Sequence, residues 1–206
     1  MLTALKLQHV LQGLPGAPFA GVLHRAVHLQ WLMNLPSGTI PQPLYSLAAP
    51  ASGARFTPVG GPPMLYFALE AETAYAEANQ VGSLIKIPAL QVAAAPPTVL
   101  IAASVRLGAV LDLTDPTIQA ALKVTTQQLG APWRQAQKRA ARGQGKSPVT
   151  QQLGQAIYDS GRFQALRYES SQRSGRACLA IFTTRIAAPH FVEVHDPHHN
   201  VSQRIP

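Results

Sequence analysis

The chain has 206 residues, of which 47% are hydrophobic and 13% charged, with a net charge of +8. Soluble domains average about 25% charged residues, so the composition excludes a charge-rich disordered chain, and the length suffices for one domain with a sizeable core. A single cysteine, Cys178, excludes an intramolecular disulfide and a cysteine-based zinc site, and it suits a reducing compartment.

In chain order, Leu2, Leu5, Val10 and Leu11 stand among polar residues and predict a short amphipathic helix, which Gly13 to Pro18 break. No basic segment and small-residue cleavage site mark a signal peptide there. Gly21–His28 (GVLHRAVH) reads as a strand. Residues 34–63 are rich in Pro, Gly and Ser and predict a long loop, a feature usually functional or disordered in a compact domain. Met64–Leu69 (MLYFAL) predicts a short buried strand and Glu72–Gln80 a helix. Leu84–Ile87 and Thr98–Ala103 are strand-like. The uncharged stretch Ile87–Val105 approaches membrane-spanning length, but Pro88, Pro96 and Pro97 interrupt it, so it is read as strands and a loop. Asp115-Pro116 predicts a helix start, with Asp as N-cap and Pro at the first helical position, and Ser147-Pro148 repeats the signal. Gly161 closes that later helix. Phe163–Tyr168 and Ala177–Thr184 are further strands, and HFVEV near the C-terminus is another. Mixed order without regular βαβ repeats predicts an α+β single domain. The expected layout is an N-terminal helical extension over 1–20, the domain over 21–185 and a C-terminal tail over 186–206.

The charges are unevenly placed. Between Lys6 and Glu70 the only formally charged residues are Arg25 and Arg55. A buried guanidinium is costly unless paired. Each arginine therefore snorkels to solvent, meets a distant carboxylate, or forms a fork for a phosphate or carboxylate. Arg134–Lys146 carries five basic residues and no acid. A solvated face is its first reading, docking of an acidic partner its second, and a nucleic-acid stripe its third. His195, Asp196, His198 and His199 offer metal donors, but their spacing matches no strong site, and no metal is expected. Arg162, Arg167, Arg173 and Arg176 cluster around Ser170. Cys178 reads as a small buried hydrophobe.

Residues 53–79 (GARFTPVGGPPMLYFALEAETAYAEAN) combine an arginine loop, a strand with Tyr66 and a helix with Glu77. Ala74 and Ala78 are small helical neighbours of Glu77 and leave room for its carboxylate to face a cleft. Taken singly, Glu77 reads as an exposed helical glutamate, Tyr66 as a core tyrosine, and Gly60-Gly61 as a plain turn. Together they resemble the RES domain, named for its arginine, glutamate and serine. The matching pieces are Gly53-Ala54-Arg55-Phe56, Leu65-Tyr66, and Thr73-Ala74 with Glu77. Eleven residues separate Arg55 from Tyr66 and eleven more reach Glu77. Arg25 fits the family's first arginine, and the serine falls in Leu166-Arg167-Tyr168-Glu169-Ser170-Ser171. Ser170 is taken as that serine, with Ser171 adjacent.

The resemblance implies an ADP-ribosyltransferase-like fold of mixed short-stranded sheets with flanking helices. It implies a toxin of a bacterial toxin–antitoxin pair that cleaves the nicotinamide–ribose bond of NAD, with water or inorganic phosphate as acceptor. NAD is then a substrate and no cofactor is implied. The implied partner is a helix-turn-helix antitoxin that blocks the cleft, with no membrane, no direct nucleic-acid contact, and room for a homodimer within the complex. The expected location is the cytoplasm. The implied roles are Glu77 beside the ribosyl cation, Arg25 and Arg55 on the pyrophosphate, Tyr66 on the nicotinamide riboside, and Ser170 hydrogen-bonded to nicotinamide or ribose. Two alternatives stay open: ADP-ribosyl transfer to a protein, and a non-enzymatic basic nucleic-acid-binding module.

Overall fold

The computed structural model describes residues 2–32, 41–78, 97–198 and 201–206. Its organising element is β3 (Thr98–Asp112), which is longer than the expected Thr98–Ala103. Ile101, Ala103, Val105 and Leu107 turn inward and the residues between them outward, the period-two pattern of a half-buried strand. β1 (Ala17–His28) runs antiparallel along one edge of β3, from His28 opposite Thr98 to Ala17 opposite Val110. The other edge of β3 binds antiparallel β6 (Phe191–Asp196) at residues 104–106 and parallel β4 (Ala165–Glu169) at residues 110–112. β5 (Ala177–Phe182) pairs with β4 on one side and with β2 (Met64–Ala68) on the other. A bridge from His24 to Ala68 then brings β2 back to β1. The seven strands thus run β1-β2-β5-β4-β3-β6-β7, with β7 (Val201–Ile205) outermost, and the β1–β3 pairing closes the sheet on itself. The fold is α+β, as expected.

Both faces of the central strands are buried. On β5, Cys178, Ala180 and Phe182 enter one core cluster while Leu179 and Ile181 enter the other. The first cluster lies under α1 (Ala4–Gly13), α5 (Pro116–Leu122) and α8 (Val149–Asp159). Burying a Leu or Phe side chain contributes about 1.5–3 kcal/mol, and Leu11, Phe56, Leu153 and Phe182 are each fully buried there. Gly154 lets α8 press against the loop before β2, because a Cβ at that position would strike the carbonyl of Phe56.

Several local expectations change. On α1 the buried stripe is Leu7 and Leu11, one turn apart, and Leu5 faces away at 87% exposure. Asp115 caps α5, accepting from the Thr117 amide at 2.7 Å, but Ser147 caps nothing: α8 starts after Pro148 without a side-chain cap. Gly161, at φ +72°, follows the end of α8. Past the short helix α2 (Leu29–Leu32), within the expected loop 34–63, Ala48–Ser52 form the short helix α3, and α6 (Thr126–Gly130) brings Leu129 into the core. Residues 186–206, expected as a tail with a strand at HFVEV, carry that strand as β6, paired with β3, and a further strand, β7, beside it. Leu84–Ile87 lie outside the described residues. Among the described residues no helix is long and apolar enough to cross a membrane.

Candidate functional site

Four of the five side chains singled out in the sequence, Arg25, Arg55, Tyr66 and Glu77, line one cavity of about 550 Å³. The fifth, Ser170, stands beside it and donates its hydroxyl to Glu77 Oε1 at 2.6 Å.

Arg25 comes from β1, between the inward-facing Leu23 and Val27. Its Nη1 donates to the carbonyl of Pro43 at 2.8 Å and its Nη2 to that of Tyr45 at 3.1 Å. Burial lowers its pKa from 12.5 to about 10, so it stays a cation at neutral pH. Arg55 sits in the loop after α3 at 7% exposure, with Nη1 donating to the carbonyl of Leu129 at 3.0 Å and its guanidinium 5.8 Å from the Tyr168 ring centroid. The sequence offered solvent, a distant acid or an anion for these arginines. The structure shows backbone carbonyls as their partners. A guanidinium carries five N–H donors, so these bonds orient both forks and leave further donors.

Tyr66, in the middle of β2, fastens the Arg55 loop to the sheet. Its hydroxyl accepts from the Phe56 amide at 3.0 Å and shares a hydrogen bond with Thr57 Oγ1 at 2.9 Å. Burial raises its pKa well above the ordinary phenol value, outweighing those bonds, so it stays protonated.

Glu77 lies in the last turn of α4 (Ala71–Ala78), one turn after the buried Ala74. Its Oε1 also accepts the backbone N–H of Ser171 at 2.9 Å, so Ser170 supplies a hydroxyl and Ser171 an amide. Ser170 Oγ in turn accepts the amides of Gln172 and Arg173, each at 3.1 Å. The same loop is fixed to the start of α4, where Glu70 meets Arg176 at 2.6 Å and Arg173 at 3.4 Å. Two of the four arginines that flank Ser170 in sequence thus hold its loop in place, while Arg167 pairs with Asp112 and Arg162 lies over Phe163.

One wall of the cavity comes from residues outside the sequence-predicted set. Trp133, Arg134, Gln137 and Lys138 line it from α7 (Trp133–Ala141). They recur at the spacing of one helix face, a period hidden in the sequence because that face holds one apolar residue. The solvated face expected of the basic run is present at Arg139, Arg142 and Lys146, which are exposed, while Arg134 is half-buried. The Arg134 guanidinium stands 4.8 Å from the Trp133 ring centroid. Its pKa is lowered by burial and by the charge of Arg55, against the pull of Glu77. Tyr168 and Cys178 also line the cavity. Burial and the Glu77 charge push the Cys178 thiol up to about 12, which removes it as a thiolate nucleophile. Among the described residues no group of three His, Cys, Asp or Glu is arranged to hold a metal. Guanidinium groups and an oriented carboxylate lining one cavity suit an anionic ligand that develops positive charge at a second point.

The RES domain family matches residues 22–203. The chain belongs to the RES domain family. Its RES domain is similar in fold to a chain of the M. tuberculosis MbcT–MbcA toxin–antitoxin complex, solved by crystallography. The TM-score is 0.62 at 14% sequence identity, over 93% of this chain and 90% of that one. No curated protein sequence matches this RES domain.

Proposed function

We propose that this RES-domain protein is a toxin that cleaves the nicotinamide–ribose bond of NAD, with water or inorganic phosphate as acceptor. Membership of the family supports the reading, and the observation that carries it is the Glu77 carboxylate, oriented by Ser170 and Ser171 and facing the cavity that holds Arg25 and Arg55. In the reaction the bond between ribose C1″ and the pyridinium nitrogen breaks. Its electron pair goes to the nitrogen and discharges the ring, so nicotinamide leaves neutral. Positive charge builds on the ribosyl carbon and ring oxygen, as in glycoside hydrolysis. Glu77 stabilises that cation electrostatically, Arg25 and Arg55 hold the diphosphate, and Tyr66 orients the nicotinamide riboside; Ser170, whose hydroxyl goes to Glu77 and not to nicotinamide or ribose as the resemblance implies, sets the carboxylate. The acceptor oxygen then bonds to C1″ and gives its proton to solvent. No cofactor or metal takes part in this scheme.

A depletion of cellular NAD would arrest growth, and an antitoxin partner of helix-turn-helix type would hold the toxin in check in the cytoplasm. The fold likeness to a chain of a toxin–antitoxin complex supports such a partner. The test is mass spectrometry of NAD incubated with purified protein. Nicotinamide with ADP-ribose identifies hydrolysis, and nicotinamide with ADP-ribose 1″-phosphate, formed only when phosphate is present, identifies phosphorolysis. ADP-ribose appearing on protein instead would make the chain a transferase. No nicotinamide release, with salt-sensitive oligonucleotide binding, would overturn the reading in favour of a nucleic-acid-binding module.

A further inference from the structure

The two arginines of the family pattern each spend part of their donor set on backbone carbonyls. Arg55 is 7% exposed, and one of its N–H groups is committed to Leu129. Arg25 has a donor on each terminal nitrogen committed to Pro43 and Tyr45. A diphosphate brings two negative charges into the same cavity. Among the described residues lining it, the other Arg and Lys side chains are Arg134 and Lys138, both on α7.

α7 is also held at a fixed distance from the Arg55 loop. Gln137 Nε2 donates to the carbonyl of Ser52 at 3.0 Å, and Gln137 Oε1 accepts from Gln151, whose Nε2 also reaches the carbonyl of Ala54 at 2.9 Å. Gly53 makes room for this clasp, since a Cβ there would collide with the Gln137 carboxamide. Arg134 precedes Gln137 by three residues and so lies on the same helix face. Trp133 lies under its guanidinium, a contact that favours one orientation of an otherwise flexible side chain. Arg134 is thus placed relative to Arg55, and it feels both Arg55 and Glu77.

We propose that Arg134 of α7 is a third substrate-binding cation of this site, contacting the diphosphate of the dinucleotide. The inference rests on the NAD reading above and extends it to a segment outside the motif residues. Arg134 then acts at a part of the substrate remote from the bond that breaks, so its contribution is made in the bound substrate and the transition state alike.

The test uses the full chain with ADP, which carries the diphosphate, and adenosine, which carries no phosphate. Calorimetry with Arg134→Ala is expected to show ADP affinity lowered about ten- to a hundredfold, the range for loss of a charge-assisted hydrogen bond, with adenosine affinity unchanged. In NAD turnover KM rises by a similar factor while kcat stays within about twofold. Arg139→Ala, on the exposed part of α7, behaves as the parent. Arg134→Lys keeps the charge and loses the fork, and an intermediate loss is expected. It serves as the second variant should the alanine substitution unfold the chain. If Arg134→Ala binds ADP like a parent protein that does turn over NAD, this inference fails alone. An equal loss for ADP and adenosine overturns it too, by making Arg134 structural. If the parent neither binds ADP nor cleaves NAD, the NAD reading beneath it fails.

Discussion

Glu77 is the residue whose chemistry is hardest to replace, because its position is set by its partners as much as by its own helix. The Ser170 hydroxyl and the Ser171 amide both point at Oε1. Glu77→Gln keeps the shape and an acceptor oxygen but removes the charge. NAD is expected to bind with little change while turnover falls about a hundredfold or more, the range for loss of one preorganised electrostatic group. Calorimetry and nicotinamide release measured on the same preparation check this, and unchanged turnover contradicts the assignment. Ser170→Ala is a different experiment. It deletes a donor to Glu77 and also the acceptor that the amides of Gln172 and Arg173 share. Gln172 is exposed and Arg173 half-buried, so each lost bond costs its net contribution of about 0.5–1.5 kcal/mol and not a full burial penalty. Ser170→Ala should therefore lower both turnover and the midpoint of chemical denaturation, whereas Glu77→Gln lowers turnover alone.

At the scale of elements, the site is two strands, two helices and two loops joined by side-chain clasps. Gly53 lies at φ +79° and ψ 150°, a region essentially reserved for glycine, and occupying it with another residue costs about 1–3 kcal/mol. Gly53→Ala adds a collision with Gln137, so α7 has to move away from the Arg55 loop. The expected outcome is a loss of stability of that order in urea unfolding, with weakened NAD binding. Gly130→Ala, whose Cβ meets nothing, should alter neither, and equal behaviour of the two variants would show that the clasp does not matter. The same clasp marks what the sequence could reveal. Arg55, Tyr66 and Glu77 stand at short, regular spacings within one strand–helix unit, so local pattern placed them. Asp115 was legible because a cap acts within three residues. α7 was not recognised as a wall, since its inner face mixes Trp, Arg, Gln and Lys and leaves no apolar stripe. The carbonyl partners of Arg25 and Arg55 were equally hidden. They depend on where residues 43–45 and 129 arrive in space, which no local pattern encodes.

At the scale of the whole molecule, the closed pairing of β1 with β3 encloses a core that reaches the floor of the cavity, and Cys178 reports on that enclosure. Its thiol is pushed from 9.0 up to about 12, first by burial and then by the negative charge of Glu77. The unfolded chain therefore releases this proton near pH 9, while the folded chain keeps it until about pH 12. In that window the unfolded state binds fewer protons, so stability is full below pH 9 and falls as pH rises, by up to about 1.4 kcal/mol per unit. Tyr66 and Tyr168, raised by burial, act in the same direction from pH 10 upward, where the unfolded phenol ionises. Arg25 acts oppositely: lowered from 12.5 to about 10, it loses its proton first in the folded chain, and stability gains between those values. The thiol is separated from these by comparison with Cys178→Ala. That substitution removes a constant amount of packing at every pH, together with the whole thiol slope. Urea denaturation between pH 8 and 10 should show the parent losing stability faster than the variant. Parallel slopes would mean that Cys178 is open to solvent and that the closed sheet does not seal the floor of the site.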